Sequence, residues 1–128
     1  MSTPILLDTD VLVDFLRGHE RAVAYVKTHE DRIILSAIVI AELYAGVKGD
    51  EELRQLEQLI SLFPVVPVSG QIAKTAGLHK RDYGPSHGVG LADAIMAATA
   101  ETRTADLKTL NTRHYPMLKG LRAPYTKR

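Results

Sequence analysis

The chain contains no cysteine. That absence excludes disulfides, thiolate metal centres and cysteine nucleophiles, and it fits a reducing compartment. Stability must come from packing, which 128 residues with 45% hydrophobic content can supply through a single core. Long apolar runs are missing too: no stretch approaches the roughly 18 residues that a membrane span requires. The opening MSTPILLDTD has neither the basic start nor the small-residue cleavage site of a secretory signal. A cytoplasmic protein, forming one domain over residues 1–128 without membrane attachment, is the expectation. Internal repeats, low-complexity tracts and interdomain linkers are also lacking. His19, His29, His79, His87 and His114 show no paired helical spacing of the zinc-site type. Each reads as surface or structural, with His87 and His114 left open as contacts near a pocket mouth.

Net charge is almost absent, at +1, but its distribution is uneven. Residues 1–63 carry 11 acidic and 6 basic side chains, and residues 64–128 carry 4 acidic and 10 basic, so the halves stand at −5 and +6. An uneven solvated surface accounts for this. So does a polyanion partner, if the fold gathers late cations such as Lys74, Lys80, Arg81, Lys127 and Arg128.

Short aliphatic runs are present: PILL, RIILS and PVVPVS, each followed by a helical pattern. Strand–helix alternation of this kind favours a parallel sheet covered on both faces, whose strands read as continuously apolar. The expected fold class is therefore α/β, an α/β/α sandwich with a mostly parallel central sheet. Val11, Phe15 and Leu16 line one face of a first helix that stops near Gly18, and a second helix spans residues 20–29. Ser36 caps a helix expected to reach Gly49, with Glu42 in its middle. EELRQLEQLISLF places Leu53, Leu56, Leu59 and Ile60 on one stripe, a surface helix packed by one face. Ser69 caps another helix that gives way to a Gly- and Pro-rich loop, DYGPSHGVG. LADAIMAATAETR resumes as a helix with Asp93 in its first turn. ADLKTLN reads as a weak strand, TRHYPM as a short turn and RAPYT as a last edge strand.

The acidic residues carry the chemistry. Asp8 stands at the carboxyl end of the first strand, where ligands of open α/β sheets bind. Asp10 either caps the helix start or hydrogen-bonds the turn and steers Asp8, whereas Asp14, one helical turn on, reads as an ordinary exposed residue. Glu42 lies among Ile38, Val39, Ile40, Ala41, Leu43 and Ala45, a setting that points it into a shared pocket, the alternative being a charge at the edge of a buried helix. Asp93 is the sole acid in an equally apolar helix start, where N-capping is its innocent explanation. If these acids converge, two carboxylates about 5 Å apart repel by roughly 3 kcal/mol at an effective dielectric near 20. A proton, a Lys or Arg, or a hard cation must offset that. An all-oxygen donor set suits Mg²⁺ or Mn²⁺ rather than zinc, and acidic Mg²⁺ sites activate water and stabilise phosphoryl charge. The implied chemistry is phosphodiester hydrolysis.

LLDTDVLVDFLRG, LSAIVIAELYAG and GLADAIMAATA, in this order and spacing, with ADLKTLNTRHYPML as a weaker fourth motif, resemble PIN-domain proteins of the VapC toxin type. The resemblance covers nearly the whole chain. It implies a metal-dependent endoribonuclease, the toxin of a VapBC-type module, whose carboxylates bind Mg²⁺ or Mn²⁺. It also implies a VapB-type antitoxin partner and a homodimer. By position, Asp8, Glu42 and Asp93 are the acidic triad and the metal ligands, and Asp10, where the family more often has Asn, has a supporting role. The fourth family position falls on Asn111, which offers an oxygen without charge, to orient water or hold Asp8, unless it is a plain turn residue. His114 stands where family members often carry Asp. Thr9 and Ser36 are the expected helpers in positioning the ligands. In HKRDYGPSHG, Lys80, Arg81 and Tyr83 suit gripping of RNA by charge and stacking, or form a disordered surface loop.

Two other readings compete. Haloacid-dehalogenase phosphatases also begin with an apolar strand ending in Asp-x-Asp, but a Thr or Val usually follows where this chain has Leu12, and no late Asp pair is clear. A catalytically silent PIN-like module that binds RNA or protein is kept open by Asn111.

Overall fold

The structure is a computed structural model and describes residues Ser2 to Lys127; Arg128, one of the late cations, lies outside the described residues. β1 (Ile5–Leu7) is buried on every residue, as an unbroken aliphatic run requires when helices cover both faces of a sheet. It is followed by α1 (Thr9–Leu16), α2 (Glu20–His29), β2 (Ile33–Ser36), α3 (Ala37–Ala45), α4 (Gly49–Ser61) and β3 (Val65–Val66). α5 (Gly70–His87), α6 (Leu91–Arg103), β4 (Asp106–Lys108) and a 3₁₀ turn over Thr112–His114 complete the order. The strands form one sheet in the order β3-β2-β1-β4. Every pairing is parallel, with Ile5 opposite both Ile33 and Asp106.

That order locates the site before any side chain is considered. The chain winds outward from β1 through β2 to β3, then returns across the sheet to place β4 on the other side of β1. Parallel crossovers are right-handed, so this reversal requires the α5–α6 return to cover the face opposite the earlier helices. The crevice at the carboxyl ends of β1 and β4 is thus the topological switch point, where open α/β sheets bind ligands. Asp8 follows β1 and Thr109 follows β4, both at that crevice.

The core is built from Ile5, Leu6, Leu7, Ile33 and Leu35 of the sheet, with Val11, Leu12, Val39 and Leu56 from the helices. Each such side chain contributes about 1.5–3 kcal/mol when fully buried. α6 is lined by alanines: Ala94 and Ala98 pack against Ile72 and Ala76 of α5, and Ala97 and Ala100 join the main core. Small side chains let the two helices approach closely.

Several boundaries differ from the sequence expectation. The helix begun by Ser36 ends at Ala45, with Gly46 as its cap, and Gly49, at φ +82°, opens the next helix instead of closing this one. DYGPSHGVG is mostly helical: α5 runs through Pro85 to His87. Proline removes a hydrogen bond within a helix. Here it lies two residues from the end, and Gly88, left-handed at φ +64°, closes the helix by donating its N–H to the Gly84 carbonyl at 2.9 Å. RAPYT forms no strand; the segment lies on α1 and α2, where Arg21 donates to the Thr126 carbonyl and hydroxyl. Asp14 is not exposed: it is 5% accessible and holds that same segment. The capping roles of Ser36 and Ser69 are as expected, each hydroxyl accepting a backbone N–H at 3.2 Å.

Candidate active site

Asp8 directly follows β1 and is the N-cap of α1, so one residue joins the strand end to the helix start. Its Oδ1 accepts the Thr9 N–H at 2.8 Å. Its Oδ2 accepts the hydroxyls of Thr109 at 2.9 Å and Tyr115 at 2.7 Å. Only 9% of the residue is accessible, and these donors are what permit its burial. Asp10 is held from the far side of the crevice: its Oδ2 accepts the Leu110 N–H at 2.9 Å and the Asn111 side-chain amide at 3.1 Å. Its Oδ1 accepts the Val11 N–H at 2.7 Å. Asp10 therefore ties α1 to the segment after β4, and Thr109 touches both aspartates.

Asp93 reaches the same place from the first turn of α6. The Tyr115 hydroxyl lies 2.7 Å from Asp8 Oδ2 and 3.3 Å from Asp93 Oδ1, so the two carboxylates share one neighbour. The other oxygen of Asp93 faces His114 Nδ1 at 3.6 Å. Glu42, the third expected acid, is exposed on α3 and accepts the Thr9 hydroxyl at 2.6 Å. Thr9 and Glu42 also line a cavity of about 310 Å³ between α1, α3 and α4, walled by Val13, Leu16, Leu43, Val47 and Leu56. The apolar setting of Glu42 thus places it beside the crevice rather than buried within it.

The electrostatics record unoffset negative charge. Burial, and then the charge of Asp8, push the Asp10 carboxyl above its ordinary value, against the hydrogen bonds from Leu110, Val11 and Thr109. Asp93 is raised for the same two reasons, with His114 and Tyr115 opposing. Burial and the neighbouring carboxylates push the Tyr115 phenol far up, so it remains a donor. Among the described residues, no Lys or Arg pairs with Asp8 or Asp93. A hard cation suits an all-oxygen pair with excess negative charge, and Asp8 and Asp93 fit one on that ground. The full triad is not gathered: among the described residues, no three acidic or histidine side chains stand close enough to hold a metal ion together.

The sequence-expected residues divide accordingly. Asp8 is joined to Asp10 through Thr109 and to Asp93 through Tyr115, Glu42 stands at the margin through Thr9, and Asn111 lies beyond the end of β4. Asn111 donates to Asp10 rather than Asp8. Ser36 is fully buried as a helix cap and makes no hydrogen bond to the acids. His114 is beside Asp93, whereas His87 bonds Ser86 at the end of α5. Lys80 donates to the Val89 carbonyl at 2.8 Å, Lys127 pairs with Asp14 and Arg81 with Asp82, so these three late cations are engaged within the chain. Two site residues escaped the sequence reading, Thr109 and Tyr115. The Thr-x-Asn spacing was available as a signal for the first; nothing in the local pattern marked the second.

An α/β/α fold with paired carboxylates at the switch point of a parallel sheet defines a class of acid-site α/β proteins. Residues 5–117 match the PIN domain family. The chain is 38% identical to ribonuclease VapC10 of Mycobacterium tuberculosis over 124 residues, 94% of this chain and 92% of that protein. It is 40% identical to ribonuclease VapC19 of the same organism over 124 residues, 94% and 98% of the two chains. Among solved structures, a toxin–antitoxin complex from Klebsiella pneumoniae is similar with a TM-score of 0.81 at 26% identity, covering 94% of this chain and 98% of that one. The chain belongs to the PIN-domain family, with relatives of the VapC type. PIN-domain ribonucleases are in general metal-dependent. No helix among the described residues is long and apolar enough to cross a membrane.

Proposed function

We propose that this protein is a metal-dependent endoribonuclease and the toxin of a VapBC-type module, acting in the cytoplasm as one domain that forms a homodimer and is restrained by a VapB-type antitoxin. Asp8 and Asp93 hold Mg²⁺ or Mn²⁺, and Glu42 completes the acidic set. The observation that carries this reading is the meeting of Asp8 and Asp93 at the Tyr115 hydroxyl, two carboxylates from distant elements that no Lys or Arg among the described residues pairs with. Names of relatives support the same activity: VapC10 and VapC19 are ribonucleases.

When bound, the divalent ion supplies activated water and stabilisation of phosphoryl charge. The chain's own residues supply the rest. Thr109, Tyr115 and the Thr9 N–H fix the Asp8 carboxylate in one rotamer. Asp10 locks the β4–turn segment against α1, which keeps Thr109 in place. Thr9 turns Glu42 toward the crevice, and Asn111 and His114 present polar side chains at its rim. RNA gripping by the end of α5 rests on exposed Arg81 and His87 with half-buried Tyr83, carried on a helix rather than on a mobile loop.

The test is cleavage of total tRNA and ribosomal RNA by the purified protein with Mg²⁺ or Mn²⁺, with EDTA, and beside Asp8→Asn. Discrete cuts that need metal and vanish in the variant are expected. A folded, metal-loaded protein, free of antitoxin, that leaves every RNA intact would instead mark a silent binding module.

A further inference from the structure

We propose that Tyr115 is a positioning residue of the cation site, whose hydroxyl holds the Asp8 and Asp93 carboxylates at one point and so pre-sets them for a divalent ion. The inference rests on the reading of those two acids as cation ligands. Asp8 is carried by the end of β1 and Asp93 by the first turn of α6, and nothing within either element draws them together. The Tyr115 hydroxyl touches both, at 2.7 and 3.3 Å, and among the described residues no other side chain hydrogen-bonds both.

Packing alone does not account for a tyrosine here. The residue is 1% accessible and part of the main core, a place a phenylalanine ring would fill equally well. A buried hydroxyl is costly unless bonded, and this one has only carboxylates for partners. Its one proton offsets repulsion between two like charges that otherwise spread apart. The geometry also spares the ligand oxygens. The hydroxyl engages Asp8 Oδ2 and Asp93 Oδ1, leaving Asp8 Oδ1 with only the Thr9 N–H and Asp93 Oδ2 with only His114 nearby. Outer donors that orient metal ligands are commonly worth 10–100-fold in affinity.

The experiment measures Mn²⁺ dissociation constants, from the free-ion electron paramagnetic resonance signal, for wild type, Tyr115→Phe and Asp8→Asn. Tyr115→Phe keeps the ring and removes one oxygen. It is expected to bind Mn²⁺ about tenfold or more weakly than wild type, with Asp8→Asn losing the site. A purely packing role would alter the unfolding temperature and leave the affinity unchanged. Equal or tighter binding by folded Tyr115→Phe, with wild-type binding still lost in Asp8→Asn, overturns the positioning role and leaves the cation site standing. Wild-type binding no better than that of Asp8→Asn overturns both. Should the variant fail to fold, the wild-type protein answers: the Tyr115 hydroxyl proton, followed by NMR, must shift on saturation with Mg²⁺, and an unmoved signal overturns the proposal.

Discussion

The Asp14 carboxylate on α1 accepts the Tyr125 hydroxyl at 2.8 Å across 111 residues of sequence. Lys127 donates to its other oxygen at 2.9 Å, and the His19 ring stacks on Tyr125 with 5.5 Å between centroids. The end of the described chain is thereby fastened to the first helix, the helix whose N-cap is Asp8. Loss of the carboxylate strands the Tyr125 hydroxyl, while loss of Lys127 leaves Asp14 one donor.

Asp14→Ala should therefore destabilise the fold by about 1–3 kcal/mol, the range for a buried group losing hydrogen bonds to a charge. Lys127→Ala should cost at most about 1 kcal/mol, because the lysine is half exposed. Urea unfolding of the two variants measures the difference. Equal losses would show that the salt bridge, not the phenol, dominates.

The same carboxylate sets an acid limit. Burial pushes Asp14 up, but the hydrogen bonds from Lys127 and Tyr125, with the charges of Lys127 and His19, outweigh it and hold the group below its ordinary value. The folded state then binds this proton more weakly than the unfolded chain. Its stabilisation is complete above the ordinary carboxylate range, and is lost as pH falls through that range to the folded pKa. Between about pH 5 and pH 3, wild type should lose more stability than Asp14→Asn. Parallel curves from thermal melts would remove Asp14 from the account.

Asp93 runs in the opposite direction. Burial and the charge of Asp8 raise its pKa, so the folded, metal-free protein holds that proton more tightly than the unfolded chain and loses stability as pH rises through the raised value. Asp93→Asn should melt higher than wild type at neutral pH in EDTA, and should cut RNA at least about a hundredfold more slowly, a ligand's loss matching or exceeding the roughly 10–100-fold that outer partners of metal ligands are worth. A variant that is neither more stable nor slower contradicts the charge balance described for the crevice.

Thr9 is the link between Glu42 and the crevice. Thr9→Val keeps the branched shape and removes the hydroxyl, so cleavage should fall about tenfold and return in Thr9→Ser. Initial rates at saturating metal are the measure, and an undiminished rate in the valine variant would separate Glu42 from the reaction.

Close approach of α5 and α6 depends on small side chains. Ala98→Leu inserts a branched chain where Ala98 is fully buried against Val66, Ile72 and Ala76, and should cost about 1–3 kcal/mol in chemical unfolding. A neutral result would show that the helices can part without loss.

Much of the architecture was legible because its signals are local. The aliphatic runs at Ile5–Leu7 and Ile33–Ser36 are buried strands, the 20–29 helix has the expected bounds, and Ser36 and Ser69 cap as their side chains suggest. Asp8 and Asp93 were legible as acids in apolar company. Less legible was the behaviour of Gly49 and Pro85, since glycine and proline mark an interruption without stating which side of it the helix occupies. Asp14 was misread because a helix face is polar or buried according to what lies on it, and Tyr125 lies on it from the far end of the chain.

By itself, the sequence determined most of the elements, though not all their bounds, the parallel α/β class and the acid-rich strand end, because hydrophobic period and capping chemistry act over a few residues. Only the tertiary structure decided which acids meet and what joins them. Tyr115 and Thr109 reach Asp8 across more than a hundred positions through the placing of β4 beside β1. That is a property of sheet order, and no local pattern of residues encodes it.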